Sequence, residues 1–290
     1  MSGHRTIALF GKHDSGAVAE ALVALRDHLL RRGVEVLVDA AFCSVAGLVQ
    51  DCADIGTIRR RADVAIVIGG DGTLLAAARK LGEADVPMVG INLGRLGFMT
   101  DIARSDMLAA IDRLLAGEFT ADRRQRLEAR VLREGAEVFR TLALNEVVVN
   151  KGDFGRMIEL EVRVDGEFLY ILRADGVIVA TPTGSTAYAL SANGPILQPA
   201  VPGIALVPLC AHGLTYRPIT IADSSSVELR LVPPHDGRVH CDGQDFFDAK
   251  SGDSVCLARA QHPLTLLHPP GYSYFAMLRE KLHWSATPHK

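Results

Sequence analysis

Three glycines, a carboxylate and a hydroxyl fall together in Gly69-Gly70-Asp71-Gly72-Thr73. The apolar run Val64-Ala65-Ile66-Val67-Ile68 before them reads as a buried parallel strand, and Leu74 to Leu81 after them as a helix. Glycines at such a junction remove side chains and permit positive φ. Backbone N–H groups and the positive end of the helix then form an anion site suited to phosphate. A bare anion site has no use for an aspartate at its centre. Asp71 belongs there if a hydroxyl must lose a proton, or if Mg²⁺ must be held beside phosphates. The pattern points to phosphoryl transfer to an alcohol. The plain alternative is a tight strand-to-helix turn with Asp71 as its N-cap.

Four other stretches carry polar groups in unusual settings. Asn92-Leu93-Gly94-Arg95-Leu96-Gly97-Phe98 follows a strand and holds two glycines. Asn145-Glu146 sits between apolar residues, an awkward place for a carboxylate with nothing to bind. Leu172-Arg173-Ala174-Asp175-Gly176 leads into Thr181-Pro182-Thr183-Gly184-Ser185-Thr186-Ala187-Tyr188, and Cys241-Asp242-Gly243-Gln244 follows later. Each has a structural alternative. Glu146 could be the solvated start of an edge strand. Arg173 and Asp175 could be a surface pair, which is worth little. The Thr/Ser/Gly run could be a capped turn, and Asp242-Gly243 a hairpin turn.

The elements that must position these residues alternate strand and helix at first. Thr6–Phe10 is a strand ending at Gly11. Val18, Ala21, Leu22, Leu25 and Leu29 recur at helical spacing, with Asp14 or Ser15 as N-cap and Gly33 as stop. Val34–Val38, Val64–Ile68 and Pro87–Ile91 are further strands, and Met107 to Leu115 a further amphipathic helix. Such βα units imply a parallel sheet with helices on both faces and ligands at the carboxyl ends of its strands. After residues 118–126 the chain reads as short strands with turn signals, including the Asp165-Gly166 hairpin. That pattern predicts an antiparallel, sandwich-like β-rich domain. The expected division is 1–120 for the α/β domain and 121–271 for the β-rich domain, with 272–290 returning to the first. Ser273–His283 is the helix of that return.

The 290 residues suffice for two cores, and 48% apolar with 22% charged residues is ordinary for a globular protein. A net charge of -3 gives no sign of nucleic-acid or membrane attraction. From Gly176 to Tyr216 there is no Asp, Glu, Lys or Arg, but five prolines and several hydroxyls exclude a spanning helix. A buried, loop-rich segment lining a ligand is expected there instead. Cys43, Cys52, Cys210, Cys241 and Cys256 are scattered and odd in number, so neither disulfides nor zinc are expected. With no secretory signal in Met1-Ser2-Gly3-His4-Arg5, the expected location is the cytoplasm.

Taken together, these stretches closely resemble bacterial NAD kinases, which phosphorylate the adenosine 2′-hydroxyl of NAD. Diacylglycerol and sphingosine kinases share Gly-Gly-Asp-Gly, and 6-phosphofructokinases have a close relative of it. Asn145-Glu146 and Thr181–Tyr188 are the more specific signals. The resemblance implies an α/β domain followed by a β-rich domain, with ATP as phosphate donor and Mg²⁺ as the divalent metal. It implies Asp71 as general base, with Gly69, Gly70, Gly72 and Thr73 bordering the donor phosphates. Asn145 and Glu146 would hold the adenine and ribose of NAD. Ser185, Thr186, Ala187, Tyr188 and Ser191 would line the dinucleotide site. Asp175 would face the nicotinamide end with Arg173 and Arg156 nearby, Phe98 would pack on a base, and Gln244 would complete the pocket. Arg95 could reach a phosphate. NAD and ATP are the expected partners, with neither nucleic acid nor membrane, in a homotetramer or homodimer. A Rossmann dehydrogenase is the competing NAD-binding class, but Phe10 to Gly16 lacks Gly-x-Gly-x-x-Gly. A non-catalytic nucleotide sensor is a third class, which Asp71 argues against.

Overall fold

The computed structural model describes residues 6–11, 16–46, 49–152 and 156–284. It divides into two compact units, Met1–Arg123 with Leu264–Lys290, and Arg124–Pro263.

The first unit is built on one sheet. Its strands run in the order Cys52–Ala53, Glu35–Asp39, Thr6–Gly11, Val64–Ile68, Met88–Asn92, Leu264–His268 and Thr120–Arg124, with Ile102–Ala103 beside Met88–Asn92. The strands from Cys52–Ala53 through Leu264–His268 pair in parallel. Every residue of Val64–Ile68 is buried, as a strand covered on both faces requires. Ile7, Leu9, Ile66, Ile68, Val89 and Ile91 share a core with two helices. Gly16–Arg31 contributes Val18, Leu22, Leu25 and Leu29, and Met107–Leu115 contributes Met107, Ile111 and Leu114. The expected N-caps Asp14 and Ser15 lie outside the described residues. Strand order reverses between Thr6–Gly11 and Val64–Ile68. Gly69 leaves the carboxyl end of the second of these, where open α/β sheets bind ligands.

The second unit is a sandwich of two six-stranded sheets whose recorded pairings are antiparallel. One sheet has the order Ile219–Ala222, Gly203–Leu209, Gly176–Ala180, Glu146–Asn150, Gly237–Cys241, Asp245–Ala249. Its Val147, Val149, Val177, Val179, Leu206 and Val239 meet Ala129, Val131, Leu160, Val162, Leu229 and Val255 of the other sheet in one core. Its opposite face carries Val148, Ile178, Ala180, Ala205 and Val207, packed with Ala189. The inner strands of this sheet are therefore apolar on both faces. Asp165-Gly166 makes the expected hairpin, with φ of 53° and 81°.

Gly176 to Tyr216 is loop-rich, as expected, and carries two of those doubly buried strands, Gly176–Ala180 and Gly203–Leu209. Three readings are corrected. The return to the first unit begins at Leu264 rather than at 272, because Leu264–His268 is a strand of the parallel sheet. Cys43 and Cys52 are joined, with their sulfurs 2.09 Å apart, which removes the cysteine argument for a reducing compartment. Arg173 and Asp175 do not pair with each other: Asp175 meets Lys151 at 2.8 Å and Arg173 lies 4.0 Å from Glu159. The chain changes sheets between them, after Glu167–Ala174 and before Gly176–Ala180. No helix among the described residues is long and apolar enough to cross a membrane.

Candidate functional site

The helix after the glycine turn runs Asp71–Leu81 and takes Gly70, not Asp71, as its N-cap. A side chain on Gly69 would strike Thr73, so the turn closes only around glycine. Asp71 is left free to point elsewhere, and it points at residues 97–100. Its Oδ2 accepts from the Phe98 N–H at 2.8 Å. Its Oδ1 accepts from the Met99 and Thr100 N–H groups, both at 3.1 Å, and from Thr100 Oγ1 at 2.9 Å. A carboxylate has about four acceptor positions, two per oxygen. Oδ1 is fully used, while Oδ2 holds one bond and keeps a position for a substrate hydroxyl. Gly97 makes the approach possible, since a Cβ there would overlap the Asp71 carboxylate. Asn92 steadies the same segment, donating from Nδ2 to Thr100 Oγ1 at 2.9 Å and accepting from the Gly94 N–H at 2.8 Å.

The second unit holds the opposite kind of carboxylate. Glu146 opens a central strand and is 7% exposed, so the solvated edge-strand alternative fails. Its neighbours in the sheet fix it from both sides. Asp242 accepts from the N–H groups of Leu144, Asn145 and Glu146 at 2.8, 2.8 and 3.1 Å. Thr181 donates its N–H to Asn145 O at 2.9 Å and its hydroxyl to Leu144 O at 2.6 Å. Gly184 lies against Asn145, where a Cβ would collide with the backbone. The backbone is thus locked, yet Asn145 Oδ1 and Glu146 Oε2 are buried with no hydrogen-bond partner among the described residues. Burial, and then the charge of Asp242, push Glu146 up to about 8, against a smaller pull from the Tyr188 N–H. Glu146 opens on a cleft of about 340 Å³, with Val148, Asn150, Tyr188, His240, Asp242 and Gly243 as its other walls.

Two family profiles match the chain. They are the ATP-NAD kinase N-terminal domain over residues 55–119 and the ATP-NAD kinase C-terminal domain over 144–268. An NAD kinase of Azoarcus sp. (strain BH72) is 57% identical over 291 residues, 99% of each chain. The chain belongs to the ATP-NAD kinase family. Its activity is the phosphorylation of NAD. Among solved structures, yeast NADH kinase complexed with NADH shares the fold, with a TM-score of 0.93 at 24% identity over 100% of this chain and 90% of that one. An NAD kinase from Archaeoglobus fulgidus in complex with ATP matches with a TM-score of 0.78 at 25% identity, over 96% of this chain and 98% of that one.

The NAD kinase signature residues are not all alike in the structure. Tyr188 is 46% exposed at the cleft, and Ser191 is exposed on the same short helix, Tyr188–Ser191. Ser185 is wholly buried and spends its hydroxyl internally, donating to Pro182 O at 2.6 Å and accepting from the Leu197 N–H at 2.9 Å. It shapes the turn. Thr186 and Ala187 are half-buried beyond it. Phe98 meets Asp71 through its backbone, and Gln244 closes the hairpin with its N–H on Cys241 O at 3.0 Å. Arg95, Arg156 and Arg173 are exposed. Sequence reasoning quoted Asp242 and Gly97 within their stretches without giving either a role at the site, and it missed Thr100. It also missed Val148 and Asn150, which alternate with Glu146 along one face of its strand and were open to detection by that spacing alone.

Proposed function

We propose that Asp71 is the general base of an ATP-dependent NAD kinase and that Asn145 and Glu146 hold the acceptor nucleotide. The observation that carries this reading is the pair of buried, unpartnered oxygens Asn145 Oδ1 and Glu146 Oε2. A buried polar atom without a partner is costly. A ribose hydroxyl and an adenine amino group are donors of the kind these oxygens lack. The 2′-hydroxyl gives its proton to Asp71 Oδ2, its oxygen bonds to the γ-phosphorus, and the bond to the leaving ADP breaks. Little covalent work falls to the protein in such a transfer, so the rate rests on positioning and charge. Tyr188, Thr186, Ala187 and Ser191 line the acceptor, Ser185 shapes their turn, and Asp175 with Arg173 and Arg156 serves the nicotinamide end. Phe98 packs on a base, Gln244 completes the pocket, and Gly69, Gly70, Gly72 and Thr73 border the donor phosphates.

No three His, Cys, Asp or Glu side chains converge as a metal cage among the described residues. Mg²⁺ would ride on the ATP phosphates and water, with Asp71 as the carboxylate of this chain that could join it. Bound there, the ion would neutralise phosphate charge. The assembly is a homotetramer or homodimer, and a monomer mass by light scattering would overturn that part.

Incubation with ATP, Mg²⁺ and NAD should give a product reducible by a strictly NADP-dependent dehydrogenase, whereas NAD lacking the 2′-hydroxyl should give none. Transfer of labelled phosphate to diacylglycerol, with NAD untouched, would refute the reading.

A further inference from the structure

The segment that gives Asp71 all four of its donors ends at Asp101, whose carboxylate is buried at 4% exposure. Asp101 Oδ1 has no partner among the described residues, so the charge is answered at Oδ2 alone. There it meets His268 Nδ1 at 2.9 Å. His268 is 3% exposed and comes from the return strand Leu264–His268, far along the chain. Its Nε2 faces Asp122 at 3.6 Å, ion-pair range rather than a hydrogen bond. The Tyr272 ring lies flat on the imidazole at 3.8 Å and 5°. A buried carboxylate is expensive unless paired, and removing one partner of such a pair strands the other. His268 is thus the hydrogen-bond partner that holds the Asp101 carboxylate in place.

Thr100, the next residue back, supplies two of the four donors to Asp71 and clasps Gly97, whose N–H donates to Thr100 O at 2.9 Å. Gly90 packs its backbone directly under Met99 and Thr100. The segment is thus a short rigid bracket with one end on Asn92 and the other on Asp101. Its N–H groups aim Asp71, and an aim altered by about 1 Å can cost on the order of 10²-fold in rate.

We propose that His268 and Asp101 are positioning residues for phosphoryl transfer: the imidazole of the return strand anchors the bracket that aims Asp71. The inference rests on the reading of Asp71 as the base. His268 touches no reacting atom, so it should act mainly on turnover, with a smaller effect on affinity through Phe98 of the same bracket.

The test uses the full chain and the NAD kinase assay. An asparagine amide overlies imidazole Nδ1, and a glutamine amide overlies Nε2. His268→Asn should hold kcat within about threefold of wild type, while His268→Gln loses about 10- to 100-fold in kcat with KM for NAD and ATP changed by less than about threefold. In an Asp71→Asn background, followed with labelled phosphate, His268→Gln should lower the residual rate by less than about twofold, because the group it positions is gone. A wild-type kcat in His268→Gln would overturn the proposal. So would equal losses in the Asn and Gln variants, or a full loss repeated in the Asp71→Asn background. Should His268→Gln fail to fold, Asp101→Asn carries the same comparison in both backgrounds. If Asp71→Asn alone keeps wild-type turnover, it is the assignment of the base that fails.

Discussion

Asp71 in the first unit accepts four hydrogen bonds, and Glu146 in the second keeps a buried oxygen that accepts none. Asp71 opens the helix that follows a parallel strand and is held through its side chain, while Glu146 opens a central antiparallel strand and is held through its backbone. The difference lies in what the protein itself supplies. Asp71 is aimed by donors already in place, as suits a group that must act on one atom at one moment. Glu146 has one oxygen left without a donor, as suits the ligand-selecting role proposed for it. Preorganisation serves the first, and an unmet polar demand serves the second.

The comparison breaks most sharply at Asp71. An amide there cannot take a proton, so Asp71→Asn should lose about 10²–10⁴-fold in kcat while NAD affinity stays put. Turnover above half of wild type would show that the four donors serve structure alone.

The next effect is on stability. Glu146 is held at about 8 in the folded protein against an ordinary 4.5. Below pH 4.5 both folded and unfolded chains hold the proton and the residue is harmless. As pH rises from 4.5 to 8 the unfolded chain releases it while the folded protein retains it, so stability is lost across that window. Glu146→Gln removes the titration. Its stability gain over wild type should grow to on the order of 3–5 kcal/mol by pH 8 and then level off. Denaturant midpoints that keep a constant difference from pH 5 to pH 8 would contradict this.

The smallest effect is on binding. Above pH 8, where Glu146 is ionised, replacing it by Ala removes an acceptor whose charged hydrogen bond is worth about 1.5–3 kcal/mol, so NAD affinity should fall more than about tenfold by calorimetry, with the fold intact. An unchanged affinity would leave the buried oxygen without a ligand to explain it.

Much of this was open to reading in the sequence, for reasons that also mark where reading stops. Val64–Ile68 and the glycine turn are local: a continuous apolar run and a cluster of glycines each declare themselves. Asn145-Glu146 was conspicuous because a carboxylate stood among valines. The donors to Asp71 were silent, because three of them are backbone N–H groups, which every residue but proline carries. Asp242 was hidden by its own correct turn: φ of 53° at Asp242 and 62° at Gly243 make the expected hairpin, and the side chain is then free to bind Leu144, Asn145 and Glu146. Gly203–Leu209 was obscured by Pro202 and Pro208, which read as breaks although Pro208 sits within the strand's pairing with Gly176–Ala180. His268 could not be connected to Asp101 by any local rule, since the contact spans 167 positions.

The strand Leu264–His268 stands inside the parallel sheet, between Met88–Asn92 and Thr120–Arg124. On the ribosome, the first 123 residues emerge with that place in the sheet still vacant, and the whole of Arg124–Pro263 is made before it can be filled. Domains usually fold in the order they are synthesised, at about 5–20 residues per second. Here the unit begun first is completed last. The nascent chain carries an unfinished sheet edge for on the order of ten seconds or more, the kind of edge that other chains can join.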